Sequence, residues 1–379
     1  MSDAYEVRQA RIDDWPLIGS FITRCYGPSA AYKQEERWRW QFLDAPDADG
    51  SVPVWIALSG GEVAGQIALQ PARYWIDGVS HPAGWIVDVM IAPEHRGVGL
   101  GHRIHDAIKA SGRVLFTLTM AEATRRIAEK AGCVTLNPVH QMVRVRRLRG
   151  RTLADATAPL FARRPTLRGV GRTFVGSRVG PALVGGAASL AASAHRALLP
   201  RIEAGDIRHV EAIDMAAVDR VFGRMTDALP ALFDRSGAWC RWRFDEAPVL
   251  RYQRAALHRD GEAQGFVVWR LPEPPELNFG TLTTLIVDPR DEEGLLSLAA
   301  HAVRAMERET EAIVAGASNP HFVKVLRRLG FVTVKRHHPT VVTEDRALAA
   351  AIAAQRWHFD KADHDWDQVH PVEEAEWDG

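Results

Sequence analysis

The chain is 379 residues long with 46% hydrophobic and 25% charged residues, which excludes fibrous and disordered classes and favours two separately packed cores. Its 47 Lys and Arg balance 47 Asp and Glu, a neutrality that weakens any reading as a nucleic-acid binder. No window is long and apolar enough for a spanning helix, and the opening MSDAYEVRQARIDDW lacks a secretory pattern. Cys25, Cys133 and Cys240 are odd in number and far apart, so a reducing, cytoplasmic setting without disulfides or structural zinc is expected.

In chain order, the first distinctive segment is RWRWQFLDAP at 37–46, which returns as RWRFDEAP at 241–248. Internal repetition of this kind points to one unit used twice. Each copy is followed by two strand-like runs around a turn, Gly60-Gly61 or Asp260-Gly261, the pattern of a hairpin. A strand ending at Pro93 or Pro289 comes next, then a helix-like run and a further strand, VLFTLTM or AIVAGAS. A last helix and an Ala131–Cys133 or Leu329–Phe331 step close each unit. The expected fold class is α+β, with two tandem units, each a mixed, mostly antiparallel sheet flanked by helices. The expected boundaries are 1–145, a linker at 146–205, a second unit at 206–345 and a tail at 346–379.

From Arg144 to Arg201 the chain is dense in arginine, with Asp155 as the lone acid, and the stretch includes the Ala- and Gly-rich run PALVGGAASLAASAHRALLP. A solvated linker carrying one packed helix and a basic membrane-surface element are both compatible with that composition. The tail reverses the charge, with Asp360, Asp363, Asp365 and Asp367 near His358 and His364. A solvated acidic segment is the default; the density also suits a hard cation or an amine, although the pattern of a calcium loop is missing. Trp357, Phe359 and Trp366, interleaved there, argue for some docking onto the fold.

PEHRGVGLGH at 93–102 carries the most chemistry. A strand runs into Arg96, Gly97, Val98, Gly99, Leu100, Gly101 and His102, and Ile104 and Ile108 then take helical spacing. A helix start exposes unpaired N–H groups and the positive end of the dipole, so it seats a phosphate well. Glycines let the backbone approach that phosphate, and an arginine adds charge-assisted donors. The spacing is neither the dinucleotide fingerprint nor the Lys-bearing P-loop.

WIVDVMIAP followed by Arg96, Gly99 and Gly101, an amphipathic helix and a second strand resembles motif A of the GNAT superfamily of acyl-CoA N-acyltransferases. The resemblance covers the first unit in element order and motif, and the second unit in order alone. It implies a co-substrate, acetyl-CoA or another acyl-CoA, whose pyrophosphate sits on the amides of 96–102 and whose pantetheine pairs with main chain near Met90 and Ile91. It also implies direct attack by a small-molecule amine, with no covalent enzyme intermediate. Glu292, Glu293, Leu295 and Ser297 stand where Arg96, Gly97, Gly99 and Gly101 stand, so the second unit is expected to be silent.

Asp88, an acid between Val87 and Val89, is the candidate base, with a satisfied structural aspartate, capping or pairing with an arginine, as the alternative reading. His95 and His102 are either phosphate contacts or solvated loop residues, and Glu122 reads as a helix-start carboxylate. The general acid expected from the family, a tyrosine, is replaced by Ala128, which keeps open a non-catalytic acyl-CoA binding or sensing role. Trp38, Trp40, Trp242 and Phe244 read as packing residues, since the silent unit keeps the signature too.

Overall fold

The computed structural model describes residues 5–27, 30, 33–119, 132–147, 149, 152, 185–186, 189–190, 205–273 and 277–368. In chain order its elements are β1 (Glu6–Gln9), α1 (Trp15–Tyr26), α2 (Glu35–Phe42), β2 (Val54–Ser59), β3 (Glu62–Ile76), β4 (Val79–Ile91), α3 (Leu100–Lys109), β5 (Val114–Thr117), β6 (Val134–Thr135) and β7 (Val139–Val145). They continue as β8 (Asp206–His209), α4 (Met215–Ala228), β9 (Ala231–Phe233), β10 (Tyr252–Arg259), β11 (Glu262–Arg270), β12 (Phe279–Val287), α5 (Glu292–Met306), β13 (Ala312–Ala317), α6 (Pro320–Arg328), β14 (Val332–His337), β15 (Thr340–Val342) and α7 (Arg346–Ala354). Most of the arginine-rich linker, with its membrane-surface reading, lies outside the described residues. So do Glu122, Ala128 and the acids beyond Gln368. No helix among the described residues is long and apolar enough to cross a membrane.

The fold is α+β, with two mixed, mostly antiparallel sheets. One runs β1-β2-β3-β4-β5-β15-β6 and the other β8-β10-β11-β12-β13-β7-β14. In each, one central pair, β4 with β5 or β12 with β13, is parallel and the remaining neighbours on these paths are antiparallel. The tight turns fall at the glycine pairs read from sequence: Gly60 and Gly61 have φ of 58° and 85°, Asp260 and Gly261 of 53° and 84°. Positive φ at both central residues matches the turn to the right-handed twist of the strands it joins.

The compact units are discontinuous where the sequence reading drew continuous spans. The first is built from Met1–Asn137, Leu229–Leu250 and His338–Trp357, the second from Pro138–Ala228, Arg251–His337 and His358–Gly379. β7, encoded by the first half, pairs with β13 and β14 in the second sheet, and β15, encoded by the second half, pairs with β5 and β6 in the first. The two strands occupy the same position in their sheets, and a ladder of backbone bonds accepts either.

Within the first unit, Ile86, Leu69 and Leu115 of the sheet pack on Leu100, Ile104 and Ile108 of α3. The repeated tryptophan signature is buried there too. Trp40 and Trp242 stack with ring centroids 4.8 Å apart and 20° from parallel. Each indole N–H donates to the other residue's carbonyl, both at 2.9 Å. The two copies are thus kept because they clasp one another, a packing role that satisfies both buried indoles. Trp40→Phe retains a stacked ring but leaves the Trp242 carbonyl without its donor, so a loss of about 1–2 kcal/mol is expected in chemical denaturation.

The expectation of a solvated tail is overturned for 358–368, where Asp360, Asp363, Asp365 and Asp367 are all buried in the second unit. Phe359 and Trp366 dock and carry the acids inside with them, and the acids find donors there. Asp360 accepts from Thr284 Oγ1 at 2.5 Å and from the Ala362 amide at 2.9 Å. Asp363 accepts from the Asp360 amide at 2.9 Å, and Asp367 from the Tyr252 hydroxyl at 2.8 Å. Among the described residues no cluster of three or more His, Cys, Asp or Glu is arranged to hold a metal ion.

Candidate active site

The site begins with a fault in β4. Gln66 pairs with Met90 and Ala68 with Val87, so Asp88 and Val89 stand opposite the single residue Ile67. Asp88 takes φ of 51° to make this bulge, a left-handed conformation that Asp and Asn tolerate better than most residues. Bulges increase twist and bend the strand. The parallel pairing of β4 with β5 covers only Ala83–Val114, Gly84–Leu115 and Trp85–Phe116. Beyond that rung β4 runs on to Ile91, and among the described residues no backbone hydrogen bond spans the opening. Met90 is buried and Ile91 half-buried along this free edge.

Asp88 is engaged. Lys33, in the connection between α1 and α2, donates from Nζ to Asp88 Oδ1 at 2.5 Å, with the two side chains 6% and 7% exposed. The same ammonium lies 4.9 Å from the centroid of the Tyr26 ring. The sequence reading foresaw a paired aspartate as an alternative, but with an arginine as partner. Lys33 was missed because a lone lysine in a loop carries no periodic or motif signal. A carboxylate in a buried apolar strand, which must find a cation, was the available clue.

At the mouth of the opening, Ala92 turns into a short 3₁₀ stretch, Pro93–His95, before the glycines. Gly97 and Gly99 have φ of 79° and 80°, and Gly99 caps α3 without a side chain. Among the described residues the N–H groups of Leu100, Gly101 and His102 have no protein acceptor; the first helical bond runs from Arg103 N to Gly99 O at 3.4 Å. Gly101 lies in the first helical turn, and a Cβ built on it meets nothing within 4 Å. Neither backbone strain nor packing within the protein therefore requires glycine there, although it weakens the helix. The start of α3 is thereby left open on that side. Arg96 is exposed, with Nε on the Ile91 carbonyl at 3.1 Å, and Val98 is 55% exposed. His102 is exposed at the same rim, whereas His95 is tied by Nδ1 to the Tyr5 hydroxyl at 3.0 Å. Burial pushes the Cys25 thiol up, consistent with an inert thiol.

The second unit closes both features. At the start of α5 the Asp291 carboxylate accepts from the Gly294 amide at 2.9 Å, so the protein supplies its own anion. Arg259 pairs with Asp291 at 2.5 Å, while Glu292 turns away to Lys324 and Arg328, each at 2.7 Å. Leu295 and Ser297 are buried. The sequence reading placed the repelling acids at Glu292 and Glu293 and overlooked the capping role of Asp291. Pairing of β12 with β13 ends at Leu282–Ala315, and the opening beyond is filled by the tail. Ala317 bridges to Asp360, and Ser318 and Phe359 exchange bonds of 3.1 and 2.7 Å. Trp366 occupies the space a side chain on Gly316 would need. Gly316→Ala is accordingly expected to cost about 1–3 kcal/mol by overpacking, read as a lower melting temperature. Asn319 caps α6 through the His321 amide at 2.9 Å. A cavity of about 540 Å³ between His140 of β7 and Lys324, Arg327 and Arg328 of α6 also belongs to this unit. Its lining is cationic and offers no acid–base pair.

Residues 6–132, the N-terminal third of the chain, match the family described as an acetyltransferase (GNAT) domain. No curated protein matches the sequence. Among solved structures, the chain is similar to a GCN5-related N-acetyltransferase from Kribbella flavida, with 16% identity, 93% of this chain and 74% of that chain covered, and a TM-score of 0.56. A GCN5-related N-acetyltransferase from Anabaena variabilis gives 12% identity, coverages of 89% and 72%, and a TM-score of 0.56. The Saccharomyces cerevisiae N-myristoyltransferase with bound myristoyl-CoA gives 11% identity, coverages of 90% and 82%, and a TM-score of 0.58. At these identities the likeness shows the fold.

Proposed function

We propose that the protein is an acyl-CoA-dependent N-acyltransferase that carries an acyl group, acetyl in the first instance, to a primary amine of a small molecule. The observation that carries this reading is the row of N–H groups on Leu100, Gly101 and His102 that have no acceptor among the described residues, beside a glycine in open space, at the mouth of the β4 opening. Four oxygens of a pyrophosphate can take those donors, with Arg96 and the backbone of Gly97 and Val98 completing the cradle. Main chain at Met90 and Ile91 offers the free edge along which an amide-bearing pantetheine arm pairs, as an added strand would.

In the reaction the amine nitrogen attacks the thioester carbonyl carbon, the C–S bond breaks, and the thiolate leaves with the coenzyme. The ammonium proton must be removed, and in this reading Asp88, at the bulge, takes it through water. Lys33 keeps that carboxylate oriented. The engagement of Asp88 by Lys33 also favours a second reading, a protein that binds acyl-CoA without turning it over. Calorimetric titration with acetyl-CoA and free coenzyme A should give one site per chain. A thiol-release assay over a panel of amines then separates the two readings. Two sites per chain would refute the silent second unit, and no binding would refute the coenzyme reading itself.

A further inference from the structure

The closed end of the β4–β5 opening is built from rings. Ile86 and Leu115 point to the α3 face, where they meet Leu100, Ile104 and Ile108. Strand alternation therefore sends Trp85 and Phe116, the last paired rung, to the opposite face. There they meet Phe233 and Trp357. Trp85 and Phe233 lie 4.1 Å apart between centroids, Phe116 and Phe233 5.0 Å, Phe116 and Trp357 5.3 Å, and Phe233 and Trp357 5.6 Å. None of the four is more than 3% exposed. Phe233 is held by the pairing of β9 with Tyr74 of β3. Trp357 is held by its indole on the Ile352 carbonyl at 2.8 Å and its amide on Asn137 at 2.7 Å.

An acyl thioester anchored at Gly97–His102 and running along the free edge of β4 points its acyl carbons at this rung. On one face lies the α3 core and on the other the aromatic block, both packed. Phe233 and Trp357 are notable in coming from Leu229–Leu250 and His338–Trp357, outside the matched domain at 6–132.

We propose that Phe233 and Trp357 are the chain-length determinants of the donor site, stopping it after a short acyl group and excluding medium and long chains. The proposal rests on the acyl-CoA reading, and free coenzyme A serves as the control that separates the two. In calorimetric titration of the full chain, acetyl-CoA should bind as tightly as coenzyme A, and octanoyl-CoA on the order of tenfold more weakly, because its tail must displace packed rings. Phe233→Ala, and Phe233→Leu as the variant that keeps more of the packing, should recover octanoyl-CoA affinity to within about threefold of acetyl-CoA. A wild type that binds octanoyl-CoA as well as acetyl-CoA overturns the proposal. So does a folded Phe233→Leu with an unchanged preference. Failure of coenzyme A itself to bind would instead overturn the underlying reading.

Discussion

Replacing Gly101 with glutamate should abolish coenzyme binding while leaving the protein as stable as its parent, or slightly more so. Gly101 has helical geometry and open space where a side chain would stand, so nothing in the fold resists the change. Glycine lowers helix stability by about 1 kcal/mol relative to alanine, and a carboxylate in the first turn gains about 0.3–1 kcal/mol from the helix dipole. The same carboxylate would stand where a pyrophosphate must sit and take the N–H groups of Leu100 and His102 for itself. A loss of affinity on the order of a thousandfold follows from repulsion together with occupation of the donors. Gly97 and Gly99 are poorer positions for this test, since both hold positive φ and any side chain there strains the loop. A Gly101→Glu protein that melts normally and binds coenzyme A normally would remove the helix start from the site.

Asp88→Asn is the second test. Asparagine suits the left-handed conformation at the bulge even better than aspartate, so the course of β4 is kept. Coenzyme affinity, which depends on Gly97–His102, should stay within about twofold of the parent. Turnover should fall by roughly 10²–10⁴, the usual worth of a positioned proton acceptor. The melting temperature should drop as well, because the buried ion pair of Lys33 with Asp88 is lost. A protein that loses stability yet keeps its full rate would make Asp88 the structural partner of Lys33 and nothing more.

Local features of this protein were legible in its sequence. The hairpin turns at Gly60-Gly61 and Asp260-Gly261 follow from short-range sterics, and the glycine-flanked helix start follows from the chemistry of a helix terminus. The repeat at 37–46 and 241–248 was visible as a repeat, and its packing role was expected. The reciprocal indole–carbonyl bonds of Trp40 and Trp242 were not, since they join residues 202 positions apart. The exchange of β7 and β15 left no trace either. Both strands carry alternation that tells which face is buried, and alternation is silent about which sheet supplies the neighbour. The tail misled because its acids were weighed by charge, whereas Phe359 and Trp366 decide where the segment goes. Lys33 and Asp291 act as single residues meeting a buried carboxylate and a helix end, interactions without a spacing rule.

The threading of the two sheets has a consequence for how the protein is made. A ribosome releases the chain from its N-terminus at about 5–20 residues per second, and β5 lacks β15 beside it until residue 342 has emerged and Trp357 in its aromatic block until residue 357 has. The second sheet waits for Gln368 before its opening is filled. The first sheet therefore cannot complete its pairing until β15 has been made, and it exposes an unpaired strand edge until then.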